Sequence, residues 1–189
     1  MRFLFFLLLP VVCVAQKDRI KAIDKYMIAN AEVKQFSGAV LVAKDGKVIY
    51  RKSFGEADKE WMISNTVNTR FRIGSNTKQF TAACILKLAE EGKLSLDDKL
   101  SKYFPDYPKA DSVTIHMLLS HTSGITNYTD HDDFWEGPAF VQISHDSLIS
   151  LFRKKPYDFS PGTNCSYSNS GYILLGSIIE IVSKEDYYR

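Results

Sequence analysis

The chain has 189 residues, 45% of them hydrophobic and 13% aromatic, which is enough to build one domain with a real core and excludes a disordered chain. Lysine and arginine number 24 against 22 aspartates and glutamates, and these charges are scattered with no basic run. That balance points away from nucleic acid and from a polybasic membrane site.

The N-terminus MRFLFFLLLPVVCVAQ carries Arg2, then an apolar run from Phe3, then the small residues Cys13 and Ala15 around a cleavage position before Gln16. Residues 1–15 read as a secretory signal peptide, so the protein is expected to be exported, to the periplasm or the cell exterior. The run is short for a bilayer span, and no stable membrane span is expected after cleavage. Cleavage removes Cys13 and leaves Cys84 and Cys165 in a disulfide-permissive setting. Cys84 lies in an apolar helical stretch, where a buried free thiol is the default. His116, His121, His131 and His145 show no metal-ligand spacing and no Cys-x-x-Cys pair is present, so neither a metal nor another cofactor is expected.

Helical spacing from Asp18 to Glu32 (Ile20, Ile23, Met27, Ile28, Ala31) predicts the first helix of the mature chain. The period then changes. GAVLVAKDGKVIYRKSFG predicts two strands, Gly38 to Ala43 and Lys47 to Phe54, joined by the two-residue hairpin signal Asp45-Gly46. A short strand from Arg70 to Ile73 leads to a turn, and a helix from Thr77 ends near Gly92 as a glycine C-cap would have it. A helix from Thr114 to Ser120 follows the aromatic loop YFPDYPKADS. Asp130 to Ser144 reads as a long loop of the kind that borders a binding site. Asp146 to Lys154 and Tyr172 to Ser183 are the last helices. Strands first and helices after them suggest an α+β layout, an antiparallel sheet with a helical region.

The helix from Thr77 poses a chemical question. Phe80, Ala82, Ala83, Cys84, Ile85, Leu86, Leu88 and Ala89 make it apolar on most sides, yet Lys78 stands at its mouth, three residues after Ser75. A capping serine beside a lysine whose stem lies along apolar surface is one reading. The other is a serine nucleophile whose proton a lysine takes, since residues three apart share a helical face and partial desolvation at the positive end of a helix favours a neutral amine. Tyr167-Ser168-Asn169, between a turn and an apolar helix, is the second clue. A buried Tyr and Asn commonly do no more than satisfy hydrogen bonds. Beside Ser75 and Lys78, however, a phenol near an ammonium can shuttle a proton, and an Asn amide can orient both the lysine and a substrate carbonyl.

FRIGSNTKQFTA, LLSHTSGI from Leu118, FSPGT from Phe159 and YSNSGYILLG from Tyr167 together resemble the serine β-lactamase-related family, which includes class C β-lactamases, D-alanyl-D-alanine carboxypeptidases, D-aminopeptidases and related esterases. The likeness runs from Ile20 to the end, and Y-S-N stands where the class A branch carries S-D-N. It implies a β-lactamase/transpeptidase-like fold and acyl-enzyme chemistry on an amide, ester or β-lactam bond of a small-molecule or peptide substrate. By the same likeness Ser75 is the nucleophile, Lys78 its proton acceptor or electrostatic activator, Tyr167 the general acid/base and Asn169 the substrate-orienting amide. The family's third motif, Lys-Thr-Gly or a His-x-Gly variant on a later strand, has no counterpart after Asn169. The chain is therefore expected to be the N-terminal portion of such a domain, ending before its C-terminal strands. Two classes stay open: an exported serine hydrolase, and a non-catalytic fragment or sensor-like binding remnant.

Overall fold

In the computed structural model, which describes residues 9–187, Asp45 and Gly46 both take positive φ, 51° and 74°. That is what a two-residue turn matched to the right-handed twist of a hairpin requires. It joins β1 (Gly38–Lys44) to β2 (Lys47–Phe54), antiparallel from Gly38 opposite Phe54 to Lys44 opposite Lys47. The register slips between Val42 and Ala43, which face Tyr50 and Val48, so Ile49 is the extra residue of a bulge.

The chain divides into two units, residues 1–72 and 73–189. In the first, α1 (Leu9–Glu32) is tied to β2 through one carboxylate: Tyr50 Oη and Lys52 Nζ both donate to Asp24 Oδ1 at 2.8 Å. Those two bonds hold the Asp24 carboxyl below its usual range, while burial and the same bond push the Tyr50 phenol up to about 12. α1 begins well upstream of the expected Asp18 and runs unbroken past Ala15 and Gln16; residues 1–8 of the expected leader lie outside the described residues. Among the described residues no helix is long and apolar enough to cross a membrane.

The strand expected over Arg70 to Ile73 is irregular instead. Among the described residues no strand lies beside it to complete a ladder, and a strand without one leaves its backbone groups unpaired. An unforeseen second ribbon pairs β3 (Glu56–Asp58) with β4 (Ile63–Ser64). Asn65 follows it and stitches this unit together, its Nδ2 donating to Ser37 Oγ at 3.0 Å and to the Phe54 carbonyl at 2.9 Å.

The second unit is helical: α2 (Lys78–Glu90), α3 (Ile115–Leu119), α4 (Asp132–Trp135), α5 (His145–Arg153) and α6 (Asn169–Ser183). α6 is its axis. Leu174, Leu175 and Ile178 are completely buried, and the cluster around them takes Ile85 and Leu88 from α2, Ile115 and Leu118 from α3, and Ile149 and Phe152 from α5. Each such side chain contributes roughly 1.5–3 kcal/mol of transfer free energy, an upper estimate. Helix starts are set by hydroxyls accepting backbone N–H groups, Thr114 from Met117, Ser144 from Ser147 and Ser168 from Gly171.

Several boundaries depart from expectation. α6 starts at Asn169, three residues before Tyr172, because Ser168 caps it. Asp130 to Ser144 is no open loop: α4 and short 3₁₀ turns over Tyr128–Asp130 and Pro138–Phe140 occupy it. α2 ends at Glu90 with Gly92 at φ 68°, and its Schellman-type bonds run from Gly92 N to the Ala89 carbonyl and from Lys93 N to that of Leu88. α2 is not covered on most sides. Only Thr81, Ile85 and Leu88 are buried, one face at i, i+4, i+7, while Phe80 and Leu86 are more than half exposed. Cys84 falls off that face, so it is an exposed free thiol rather than a buried one, and Cys165 is likewise free.

Candidate active site

Gly74 takes φ 52° and opens a 3₁₀ turn over Gly74–Thr77 that runs straight into α2. Ser75 thus sits one turn before the α-helix proper, and Lys78 is that helix's first residue. The spacing brings the two together: Lys78 Nζ donates to Ser75 Oγ at 3.2 Å. The same ammonium donates to Asn169 Oδ1 at 2.7 Å. Tyr167 Oη donates to Ser75 Oγ at 2.6 Å, across 92 residues of sequence. All four residues singled out in the sequence therefore meet at one point, at the mouth of α2 and the start of α6. A cavity of about 330 Å³ adjoins them, lined by Ser75, Lys78, Asn169 and Tyr172 among others. Among the described residues no group of three or more His, Cys, Asp or Glu side chains could hold a metal.

Lys78 also lies 4.8 Å from the centroid of the Tyr167 ring and 5.4 Å from that of Tyr172, a cation between two aromatic faces. Partial burial works against ionising the Tyr167 phenol, but the Lys78 ammonium and the Ser75 hydroxyl outweigh it and hold that phenol below its ordinary value. An oxygen that accepts from an ammonium and a phenol at once can pass its proton to that pair once the pair has given up one of its own. Ser75 Oγ is such an oxygen, and both partners can return a proton later.

Behind these four stands a set of residues that motif reading passed over. Asn169 Nδ2 donates to Thr129 Oγ1 at 3.0 Å, which turns the amide oxygen toward Lys78. Asn169 N donates to Asn127 Oδ1 at 3.0 Å, and Asn127 Nδ2 donates to Asp130 Oδ1 at 2.8 Å. Thr129 and Asn127 belong to a segment with no periodicity, and only its place before a polar, aromatic stretch could have drawn attention to it. His121 lies within LLSHTSGI. Its Nδ1 accepts from Ser168 N at 3.2 Å, and its ring packs on Tyr167 with centroids 4.7 Å apart.

The segments quoted for the family likeness also pack on one another. The carbonyls of His121, Thr122 and Gly124 accept the amides of Ser166 (3.0 Å), Gly162 (2.8 Å) and Asp158 (2.9 Å). Gly124 is required there. At φ 72°, a Cβ on it would fall 2.1 Å from the Phe159 carbonyl oxygen. HTSGI and FSPGT are thus the two walls of a ladder that carries Tyr167 to Ser75.

The family model described as Beta-lactamase matches residues 23–189. The chain is 35% identical over 181 residues to the protein flp of Staphylococcus aureus (strain N315), covering 91% of this chain. Among solved structures it is similar to a penicillin binding protein from Bacillus halodurans, with a TM-score of 0.74, 38% identity and 84% of this chain covered. It is also similar to a D-stereospecific amidohydrolase from Streptomyces sp., with a TM-score of 0.61, 34% identity and 65% covered. The chain spans 35% of flp and 49% and 40% of these two solved chains. Their fold is of the β-lactamase/transpeptidase type, as the motifs implied, and helices with small antiparallel sheets are what this chain contributes to it. The chain belongs to the beta-lactamase family.

Proposed function

We propose that this protein is an exported serine acyl hydrolase that works through an acyl-enzyme on an amide, ester or β-lactam bond. The observation that carries the reading is Ser75 Oγ held simultaneously by Lys78 Nζ at 3.2 Å and Tyr167 Oη at 2.6 Å. Once the Lys78–Tyr167 pair has given up one of its protons, Ser75 Oγ attacks the carbonyl carbon and its own proton passes to that pair. The charge that develops on the carbonyl oxygen is met by backbone N–H at the start of the helical segment, Ser75's own among them, with the helix dipole helping. Collapse breaks the bond to the leaving group, which departs with the proton from Tyr167. Water then gives a proton to the same pair and attacks the ester carbonyl; the acid is released as the bond to Oγ breaks, and Ser75 Oγ takes that proton back from the pair. Asn169 holds Lys78 through Oδ1 and is placed to orient a substrate carbonyl or amide. Relatives described as a penicillin binding protein and a D-stereospecific amidohydrolase make an amide or β-lactam carbonyl the natural substrate class.

The test is covalent. A fluorophosphonate or fluorescent penicillin is expected to label the intact gene product at Ser75, with the adduct located by peptide mass spectrometry, and Ser75→Ala is expected to take no label. Label retained in the alanine variant sinks the assignment.

A further inference from the structure

His121 grips the segment that delivers Tyr167 in three ways. Its carbonyl accepts Ser166 N at 3.0 Å on one side of the tyrosine, and its Nδ1 accepts Ser168 N at 3.2 Å on the other. Its ring lies against that of Tyr167 (4.7 Å, 37°) and against Tyr172 (5.1 Å, 35°). The residue sits at φ 60°, left-handed backbone that few residue types besides Gly, Asn, Asp and His adopt readily. A backbone amide can only donate, so Nδ1 is unprotonated and the ring is the neutral Nε2–H tautomer. The ionisable groups facing it are Lys78 from α2, Tyr172 from α6 and Tyr167 and Cys165 from the segment before α6, the thiol through its contact with the adjacent Ser120 carbonyl. Burial, and then the Lys78 charge, hold the His121 imidazole below its ordinary value.

We propose that His121 is a positioning residue, which as a neutral imidazole fixes the Tyr167 phenol on Ser75 and on protonation lets the Tyr167–Asn169 segment go. This deepens the acyl-hydrolase reading and rests on it for its catalytic consequence, but the holding and release can be observed without turnover. Protonation at Nδ1 converts the acceptor of the Ser168 bond into a donor facing another donor. It also puts a second cation next to Lys78, on the side where the phenol must stay.

Two measurements on the intact gene product test this. In the catalytically silent Ser75→Ala background, histidine ¹⁵N spectra should show His121 as the Nε2–H tautomer, titrating below the ordinary histidine range. The Ser168 amide and Tyr167 ring resonances should move along the same curve. Those resonances standing still through the His121 titration overturn the proposal, whether or not Ser75 ever takes a label. The second measurement is the rate of fluorophosphonate labelling against pH for wild type, His121→Asn and His121→Gln. Asparagine tolerates the left-handed backbone and places Oδ1 where Nδ1 was, so it should label within about threefold of wild type near neutral pH and lose the acid limb that coincides with the His121 titration. Glutamine carries its acceptor one carbon too far and should be slower by about tenfold or more throughout. Equal losses in both variants with the acid limb unchanged overturn the proposal. Coupled resonances in a wild type that takes no label sustain the positioning role and sink the acyl-enzyme reading instead.

Discussion

The two units of this chain solve the problem of order differently. Residues 18–72 rely mostly on near neighbours, a two-residue turn, a hairpin and a short second ribbon, with one longer tie, the Asp24 carboxylate shared by Tyr50 and Lys52 26 and 28 residues on. Their buried hydrophobic side chains come down to Tyr50 alone. Residues 73–187 gather sixteen buried hydrophobic side chains around α6, and their site joins residues 92 apart. The hairpin of the first unit is recognised from short sequence, and that unit contains none of the candidate chemistry. The other places four reactive groups within hydrogen-bond reach because a core far from them dictates where two helix starts meet.

Two left-handed glycines, one in each unit, sharpen that contrast. Gly124→Ala should be the most damaging change, about 4 kcal/mol or more, because both the backbone angle and the contact with the Phe159 carbonyl oppose a side chain. Chemical denaturation followed by near-ultraviolet circular dichroism measures it, and a loss below about 1 kcal/mol would mean that the HTSGI–FSPGT ladder is not what holds Tyr167.

Next come Lys78→Arg and Tyr167→Phe. Each should slow labelling at Ser75 by about 10²-fold, near 2.7 kcal/mol, since guanidinium cannot accept a proton and the phenyl ring cannot carry one. If the two act as a single proton-transfer unit, the double variant loses far less than the product of the single losses. Fully multiplicative losses would separate them.

Asp98 is the helical unit's local device. It accepts from Ser95 N (2.9 Å), Lys102 Nζ (2.8 Å) and Tyr103 Oη (2.7 Å). Burial alone would raise its carboxyl, but these bonds outweigh that and hold it below the ordinary 3.8. A carboxyl depressed by folding contributes stability that is whole above its unfolded value and drains away as pH falls through its folded one. Asp98→Asn should therefore cost about 1–3 kcal/mol at neutral pH in urea melts. Its gap from wild type should narrow below about pH 4, and a gap independent of pH would show that charge is not involved.

The smallest effect belongs to the hairpin. Gly46 has φ 74°, but a Cβ there meets nothing within 4 Å, so Gly46→Ala should cost only about 1–2 kcal/mol of backbone strain. Labelling of Ser75, in the other unit, should be unchanged. A fall in labelling comparable with that of the Tyr167 variant would mean that the hairpin and the site depend on each other.

What could be read beforehand followed the range of the forces involved. Asp45-Gly46 and the alternation around it were sufficient for the hairpin, because turn geometry and side-chain period are properties of adjacent residues. Ser75 and Lys78 were legible as a pair for the same reason, lying one helical turn apart. The second ribbon was not, because three- and two-residue strands carry too little pattern to stand out. Nor was the exposure of Cys84 and Phe80. Apolar composition tells that a helix has surface to bury but not which side another element covers, and only the face carrying Thr81, Ile85 and Leu88 meets the core.

The sequence by itself determined the residue types at the site, the Asp45-Gly46 turn of the hairpin and the Ser75–Lys78 spacing, since each depends on groups close to one another along the chain. Tertiary structure alone decided that Tyr167 reaches Ser75, that Asn169 turns its oxygen to Lys78 because Thr129 takes its amide, and that His121 stands beside Tyr167 and Tyr172. Those contacts depend on where α6 lies against α2 and α3. That placement comes from the packing of Leu174, Leu175 and Ile178, whose burial is non-directional and leaves no motif at the residues it brings together.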